Sequence, residues 1–538
     1  MTAEVRGAGA ARLARSAGLV GAATMSSRVL GMVRDQTLAY YFGASHEMDA
    51  YNVAFRIPNL LRDLFAEGAM SSAFVPTFTR LLTLKDRAAA WRLGNLVLNG
   101  LLLVTAAFVG AGMVFVWPIV RFAASDYGSV PGKLELAVSL AQIMFPFLIL
   151  VALAAACMGM LNSVRRFFVP AISPAMFNVG TILTMVVLIP ILRAQGIRPI
   201  FAVAIGTLVG GIGQVVVQWP LLRREGFRYR PIVSFRDPHV REVLALMAPG
   251  TIGLAAVQIN VLINTMLATS QGEGAVSFLS YAFRLMYLPI GLFGLSIATA
   301  ALPSLSRHAA REDRDAMRRT LSSGLRMMLM LNVPATVGLV VLARPIVALL
   351  FERGSFTAVA TAGTVSALIC YAPGLLGYSA VKICVPTFYT LRDSRTPVAV
   401  SMITVAVNVA LSLLLVGPFG YRGLAFGTAL ASLFSAATLL WLLRRRLDGI
   451  DGRRLATASI KVGVASLGMA AAVWATERGL GSFAPGPSLA AQLVRVGGAI
   501  AAGIVALAGA ARLLRIAEFN EAARTVSARI FRPAGASS

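Results

Sequence analysis

Charge is what this chain has least of. Only 13% of its 538 residues are Asp, Glu, Lys or Arg, about half the share usual in soluble domains. With 57% hydrophobic residues and a mean hydropathy of +0.76, that shortage excludes an ordinary soluble globular protein and defines a polytopic membrane protein. Cysteine is scarce: Cys157, Cys370 and Cys384 lie in apolar stretches without CxxC spacing, which argues against a disulfide framework or a metal site. The three histidines, His46, His239 and His308, are scattered and form no ligand cluster. No Walker motif occurs, and no segment is long enough for a soluble catalytic domain. The expectation is a transporter without cofactor rather than an enzyme, driven by membrane potential, a monovalent cation or its substrate's own gradient. The formal net charge of +26 is nearly all arginine. Those arginines sit in short loops between apolar runs, so no nucleic-acid partner is expected.

A membrane-spanning helix needs about 20 mostly apolar residues. On that criterion the sequence predicts about 14 spans: 16–42, 51–80, 93–120, 134–160, 170–192, 199–222, 242–269, 275–304, 320–348, 360–388, 397–416, 422–443, 456–476 and 488–514. Arg6, Arg12 and Arg15 before the first run resemble a signal peptide, but Arg28 and Arg34 interrupt the run, and it reads as a retained first helix. Basic loops alternate with loops poor in Lys and Arg. Arg165 and Arg166, Arg223 to Arg241, Arg307 to Arg319, and Arg444 to Arg454 fall on one side; Gly43–Ala50 and Ser270–Ala275 have no Lys or Arg. The positive-inside rule places the basic loops and both termini in the cytoplasm, which requires an even number of spans.

The sequence also repeats. Val75-Pro76-Thr77-Phe78-Thr79-Arg80 and Leu302-Pro303-Ser304-Leu305-Ser306-Arg307 close the second and eighth spans. Arg165 and Pro170 recur as Arg392 and Pro397 at the same displacement, and Ala54-Phe55-Arg56 recurs as Ala282-Phe283-Arg284 one residue further on. The expected organisation is two six-helix lobes in parallel repeat around a central cavity, 1–225 and 226–450, with two extra helices and a tail in 451–538. Parallel repeats with a central site are a transporter architecture.

The chemistry rests on arginines inside apolar spans. A charge at bilayer depth costs roughly 2.5–3.5 kcal/mol even on lenient insertion scales, so Arg28, Arg34, Arg62 and Arg284 must face water, a ligand or each other. The planar guanidinium stays charged and donates two parallel hydrogen bonds, which suits phosphate. The competing reading is that Arg34–Asp35 and Arg62–Asp63 are compensated pairs, or that some arginines snorkel. Arg28 and Arg34 are about 120° apart on an ideal helix, so a shared face would need unwinding near Gly31. Pro289 and Gly291 mark a break in the eighth span. Asp35, Asp49, Glu67 and Lys382 are candidates for a gate or for coupling; N-capping is the default for Asp49, and Lys382 either attracts phosphate or snorkels. Asn408 and Ser412, four apart on one face, are a candidate cation pair, with interhelical hydrogen bonding the competing use.

Ser27-Arg28-Val29-Leu30-Gly31, Arg34-Asp35, Phe42-Gly43-Ala44, Asp49-Ala50, Ala54-Phe55-Arg56-Ile57-Pro58-Asn59-Leu60-Leu61-Arg62, Phe65-Ala66-Glu67-Gly68-Ala69 and Ala73-Phe74-Val75-Pro76 together resemble the MurJ (MviN) family of bacterial lipid II flippases, within the multidrug/oligosaccharidyl-lipid/polysaccharide exporter superfamily. The likeness runs on through Leu302–Ser306 and Lys382. It implies 14 helices in two lobes around a positively charged cavity, with spans 13 and 14 forming a groove for the polyprenyl tail. It implies that Arg28, Arg34, Arg62 and Arg284 match the family's essential cavity arginines and that Asp49 matches an important acid. Phe283 departs from relatives with an acid beside the arginine, and Ser412 stands where sodium-binding relatives can have a carboxylate. The implied cargo is lipid II, carried across the bacterial inner (plasma) membrane for peptidoglycan synthesis, with membrane lipids and cell-wall synthesis proteins as further partners. The alternative is another polyprenyl-diphosphate-linked glycan. A cation-driven drug exporter would have acidic cavity walls, and a scaffold would tolerate loss of all four arginines.

The loop asymmetry predicts an orientation. In a cysteine-free background, Ser45→Cys and Gln271→Cys should react with a membrane-impermeant maleimide on intact cells, whereas Arg166→Cys and Arg445→Cys should react only after permeabilisation. The opposite pattern would invert the topology.

Overall fold

Apolar runs of this length can satisfy their backbone groups inside a bilayer only as helices or closed barrels, and here they form helices. The computed structural model describes residues 3–62, 73–84, 86–483, 486 and 488–519. The chain divides into two compact units, Met1–Val276 and Ser277–Ser538. In the first unit the helices are α1 (Ala3–Phe42), α2 (His46–Arg62), α3 (Val75–Thr83), α4 (Arg87–Val114), α5 (Val116–Ala123), α6 (Lys133–Met144), α7 (Phe147–Ser163), α8 (Phe168–Ala194), α9 (Phe201–Arg224) and α10 (Pro238–Thr269). After α11 (Ala275–Pro289), which begins at the boundary, the second unit contains α12 (Leu295–Ala310), α13 (Arg314–Val341), α14 (Ala343–Phe351), α15 (Ala358–Tyr371), α16 (Gly374–Thr390), α17 (Arg395–Phe419), α18 (Tyr421–Arg446), α19 (Gly452–Phe483) and α20 (Leu489–Leu513).

Among the described residues, ten helices are long and apolar enough to cross a membrane, or 11 when the bent pair α15–α16 is taken as one span. The remaining expected spans fall on α1, on α2 with α3, and on α10. The first two are diluted by the charges that drew attention in the sequence, and α10 has a shorter apolar stretch over Val257–Thr269. This is an all-α polytopic membrane protein.

The spans are less continuous than hydropathy suggests. Span 93–120 breaks at Phe115, 134–160 at Phe145–Pro146, 320–348 at Leu342, and 360–388 at Ala372–Pro373. Pro146 and Pro373 each lack the N–H that a continuing helix would use. Pro118 and Pro345 lie in the first turns of α5 and α14, where a missing N–H costs nothing. The α15–α16 break bends the axis by 46°.

These breaks also carry the repeat. Helix α4 maps onto α13 and α7 onto α16, each pair equal in length and displaced by 227 residues. Asp86 and Asp313 are matched N-caps, accepting from the N–H of Ala89 and Ala316 at 2.8 Å each. Arg165 and Arg392 both turn the chain in the left-handed region, at φ 62° and 59°. Cys157 and Cys384 are matched and both buried.

Within the first unit, α8 and α9 pack tightly because Gly206 and Gly210 remove side chains at the crossing; a Cβ on Gly210 would lie 2.6 Å from the Phe177 carbonyl oxygen. The connector after α9 is stitched to α4. Asn95 donates to the Arg228 carbonyl at 3.0 Å and accepts from the Arg230 N–H at 2.7 Å. Asn99 donates to the carbonyls of Arg230 at 2.7 Å and Ile232 at 3.0 Å, and accepts from the Tyr229 hydroxyl at 2.9 Å. In the second unit the α19–α20 hairpin docks on α13 and α14, with Met330, Val462, Ala465, Ala511 and Ile516 at the centre of that contact. Ile504 and Val505 on α20 stay exposed, as lipid-facing side chains do in a spanning helix.

Gly377 tests this packing. A Cβ there would lie 2.5 Å from the Ser432 carbonyl carbon and 2.6 Å from the Leu433 nitrogen, so Gly377→Ala should lower stability by about 1–3 kcal/mol. Gly468→Ala, which meets nothing within 4 Å, should leave it unchanged or slightly raised. Thermal unfolding of the two variants in detergent separates these outcomes.

Candidate functional site

Helix α1 carries Arg28, Arg34 and Asp35. It is helical without interruption through Gly31, so the unwinding that would bring Arg28 and Arg34 onto one face is not present. Gly31 faces Asn178 of α8, with room there for a Cβ at an ordinary 3.6 Å from Nδ2, and the Asn178 amide donates to the Ser27 carbonyl at 3.1 Å. Arg34 bonds the neighbouring Asp35 carboxylate through Nη2 at 2.9 Å and Nε at 3.2 Å. Its guanidinium lies 5.4 Å from the ring centre of Phe177 on α8. Asp35 is buried. Arg28, half-buried one turn before Gly31, has no carboxylate partner among the described residues. Of Arg28 and Arg34, Arg28 is therefore the one with charge not met by a carboxylate among the described residues.

Arg62 closes α2 in the first unit, and Arg284 lies on α11 in the second; both are half-buried and both engage neighbouring groups. After Pro289 the chain makes a π-helical turn over Ile290–Gly294, and the span runs on through it as one helix, Ala275–Ala310, in place of the break expected at Pro289 and Gly291. Such turns are frequent at functional sites. Glu67 lies outside the described residues. Lys382 is exposed on α16.

Asp49 has no exposed surface at all. Instead of capping its own helix it accepts from the Gly274 N–H at 2.8 Å and faces the Lys133 ammonium at 3.4 Å, itself with a side chain only 4% exposed. The ammonium also lies 4.0 Å from the ring centre of Tyr127. Burial, and then the Asp49 charge, push the Tyr127 hydroxyl well above its ordinary value, so it is neutral throughout the physiological range. Nearby, His46 at the start of α2 contacts Glu273 at 3.1 Å. Sequence reasoning missed Lys133, Tyr127, Phe177 and Asn178. Lys133 left one signal: it is one of only four lysines and opens a mostly apolar helix.

Asn408 and Ser412 are both buried on α17, and the Ser412 hydroxyl donates to the Asn408 side-chain oxygen at 3.4 Å. Thr181, the repeat counterpart of Asn408, donates across to the Gly206 carbonyl at 3.2 Å, a contact between helices. Among the described residues no group of three His, Cys, Asp or Glu side chains is placed to hold a metal.

A two-unit, all-helical membrane protein with broken helices and arginines within its spans has the fold of the multidrug and lipid-linked glycan exporters. A MATE multidrug transporter in an inward-facing conformation shares it, with TM-score 0.66 over 80% of this chain and 98% of that one at 15% identity. More specifically, residues 38–494 match the family model "Lipid II flippase MurJ", and the chain belongs to the MurJ family. It is 37% identical to a probable lipid II flippase MurJ of Vibrio cholerae over 80% of this chain and 82% of that protein. It is 35% identical to the lipid II flippase MurJ of Burkholderia cenocepacia over 79% and 82%, respectively. A solved MurJ structure in an inward closed conformation aligns with TM-score 0.75 and 27% identity, over 92% of this chain and 99% of that one.

The Asp49–Lys133 pair gives a stability prediction. Lys133→Met strands a buried carboxylate and should cost about 3–5 kcal/mol. Adding Asp49→Asn should recover part of that loss. Strictly additive effects in chemical denaturation would mean the two groups are not coupled.

Proposed function

We propose that this protein moves lipid II from the cytoplasmic to the outer leaflet of the bacterial plasma membrane by alternating access. Its membership of the MurJ family carries the reading and favours lipid II over another polyprenyl-linked glycan. It is a transporter, and no step of the reading breaks or forms a covalent bond in the cargo. Arg28, Arg34, Arg62 and Arg284 bind the diphosphate of the headgroup. Guanidinium forks suit that task because they pair with phosphate oxygens bidentately and cannot be neutralised by deprotonation. The unpaired charge of Arg28 among the described residues supports its part in this; Asp35 holds Arg34 in place until the diphosphate arrives.

The lobes are 1–225 and 226–450, and helices α19 and α20 hold the polyprenyl tail in lipid. Asp35, Asp49, Glu67 and Lys382 serve the gate or its coupling, and Asn408 with Ser412 offers a weak site for a monovalent cation. Membrane potential or that cation supplies the driving force. Both termini are cytoplasmic, which the alternation of basic loops supports. Cell-wall synthesis proteins are the partners expected to supply or consume the cargo.

Reconstituted vesicles test the reading directly. The intact protein, given a potential or a cation gradient, should translocate lipid II, and Arg28→Ala and Arg284→Ala should each slow it by at least about tenfold, the loss expected when a charge-assisted bond to phosphate is removed. No translocation by the intact, folded protein would reject the function. Translocation that survives both substitutions would keep the function and reject the arginines as its site.

A further inference from the structure

At one end of the α19–α20 hairpin lies a cavity of about 330 Å³ lined by Arg326, Arg453, Arg454, Lys461, Arg515 and Glu518. It belongs wholly to the second unit and is remote in sequence from Arg284. Five cations surround one carboxylate. Glu518, nearly buried, takes only one of them, Arg326, at 3.1 Å, and the Arg326 Nε is buried without a hydrogen-bond partner. Arg453, Arg454, Lys461 and Arg515 have no ion pair among the described residues. Some arginines near other helix ends do have a carboxylate, such as Arg446 with Asp393 at 2.6 Å, Arg166 with Glu225 at 2.7 Å and Arg80 with Glu242 at 2.6 Å; what sets this recess apart is that five cations line one cavity. Arg453, Arg454 and Arg515 are exposed and Lys461 is half-buried, so the recess presents its unmatched charge to an anion arriving from outside.

The surroundings of the cavity identify the anion. Arg454, Thr457, Ala458 and Lys461 follow i, i+3, i+4, i+7 and form one face of α19. Ile460, Val464 and Leu467 make an adjoining face, and each is more than half exposed. Leu513, two residues before Arg515, is 84% exposed. A polar, cationic recess bordered by exposed apolar helix faces matches a molecule with an anionic head and two acyl chains. The floor is already filled by the packed Met330, Val462 and Ile516, so the recess takes a headgroup and not a chain. The residues after Phe519 include Arg524, Arg529 and Arg532 against Glu521 alone, a poor complement to this charge. Basic pockets of this kind between spanning helices bind acidic lipid headgroups.

We propose that the recess formed by Arg326, Arg453, Arg454, Lys461 and Arg515 is a binding site for the phosphate-bearing headgroup of an anionic phospholipid. It holds the hairpin in register with α13 through a bound lipid, and it is separate from the arginines assigned to the cargo. Only the membrane location of the chain is needed for this inference, not the identity of the cargo.

The test is native mass spectrometry of the full-length protein in detergent, titrated with phosphatidylglycerol, phosphatidylcholine, lipid II and inorganic phosphate. The triple variant Arg454→Gln/Lys461→Gln/Arg515→Gln should lose phosphatidylglycerol affinity by at least about tenfold. Phosphatidylcholine and lipid II binding should be unchanged. Arg454→Lys/Arg515→Lys, which keeps the charge, should retain most of the affinity, and Arg223→Gln/Arg224→Gln should behave as the unaltered protein. Because Lys461→Gln alone leaves the Arg326–Glu518 pair in place, its partial loss with unchanged melting guards against misfolding as the cause. Equal phosphatidylglycerol binding by the triple variant would overturn the proposal. So would displacement of the lipid by millimolar phosphate, which would make this a free-phosphate site, or a parallel loss of lipid II, which would make it part of the cargo path.

Discussion

An ionised side chain among apolar helices must be met by something polar, and that requirement organises much of this protein. Where the partner is a carboxylate, the charge is met within the protein: Asp35 beside Arg34 on α1, Lys133 against the buried Asp49, Glu518 beside Arg326. Where cations outnumber carboxylates, as in the recess at the foot of α19, or have none among the described residues, as at Arg28, the charge is not met within the protein by an acid. The two kinds of site differ in what completes them, and the difference follows from counting acids near each cation. The chain has 23 acids against 49 lysines and arginines, so most cations cannot be matched internally; Lys133–Asp49 and Arg326–Glu518 are matches that join separate segments of their units.

Much of the fold could be read from the sequence because its signal is local. A run of 20 apolar residues declares a helix wherever it occurs, and the motif closing the second span reappears, displaced by 227 residues, at the close of the eighth. The same displacement carries over to the N-caps Asp86 and Asp313, the left-handed Arg165 and Arg392, and the breaks before Pro146 and Pro373. The breaks themselves were not evident, because a hydropathy window averages across a proline. Nor could the sequence show that Asp49 reaches Lys133, since 84 residues separate them and no periodicity links an acid on one helix to a lysine opening another. Arg28, Arg34 and Arg284 stood out for the opposite reason: a single charge in an apolar run is conspicuous without any knowledge of its neighbours. Gly31 misled in an instructive way. Its place between two arginines suggested a bend, whereas the helix runs unbroken through it and Asn178 packs alongside.

The doubled architecture does not produce doubled chemistry. Thr181 and Asn408 share a register position but differ in side chain, a hydroxyl that reaches the Gly206 carbonyl on α9 against an amide that accepts from Ser412. Arg62 and Arg284 belong to matching helices but not to matching positions. The docked pair α19–α20 has no counterpart in the first unit. Repetition therefore sets the backbone frame, and the side chains laid on it are specialised to one unit or the other.

The asparagine stitch on α4 has a mechanical consequence. Thirteen residues, 225–237, join α9 to α10, and a free strand of that length could reach roughly 45 Å at about 3.3–3.6 Å per residue. Asn95 and Asn99 fasten it as far as Ile232, leaving five residues, or roughly 17 Å, of slack before Pro238. The connector is thus a short leash, not a flexible tether, and the first turn of α10 can travel only within a small radius of its anchorage on α4.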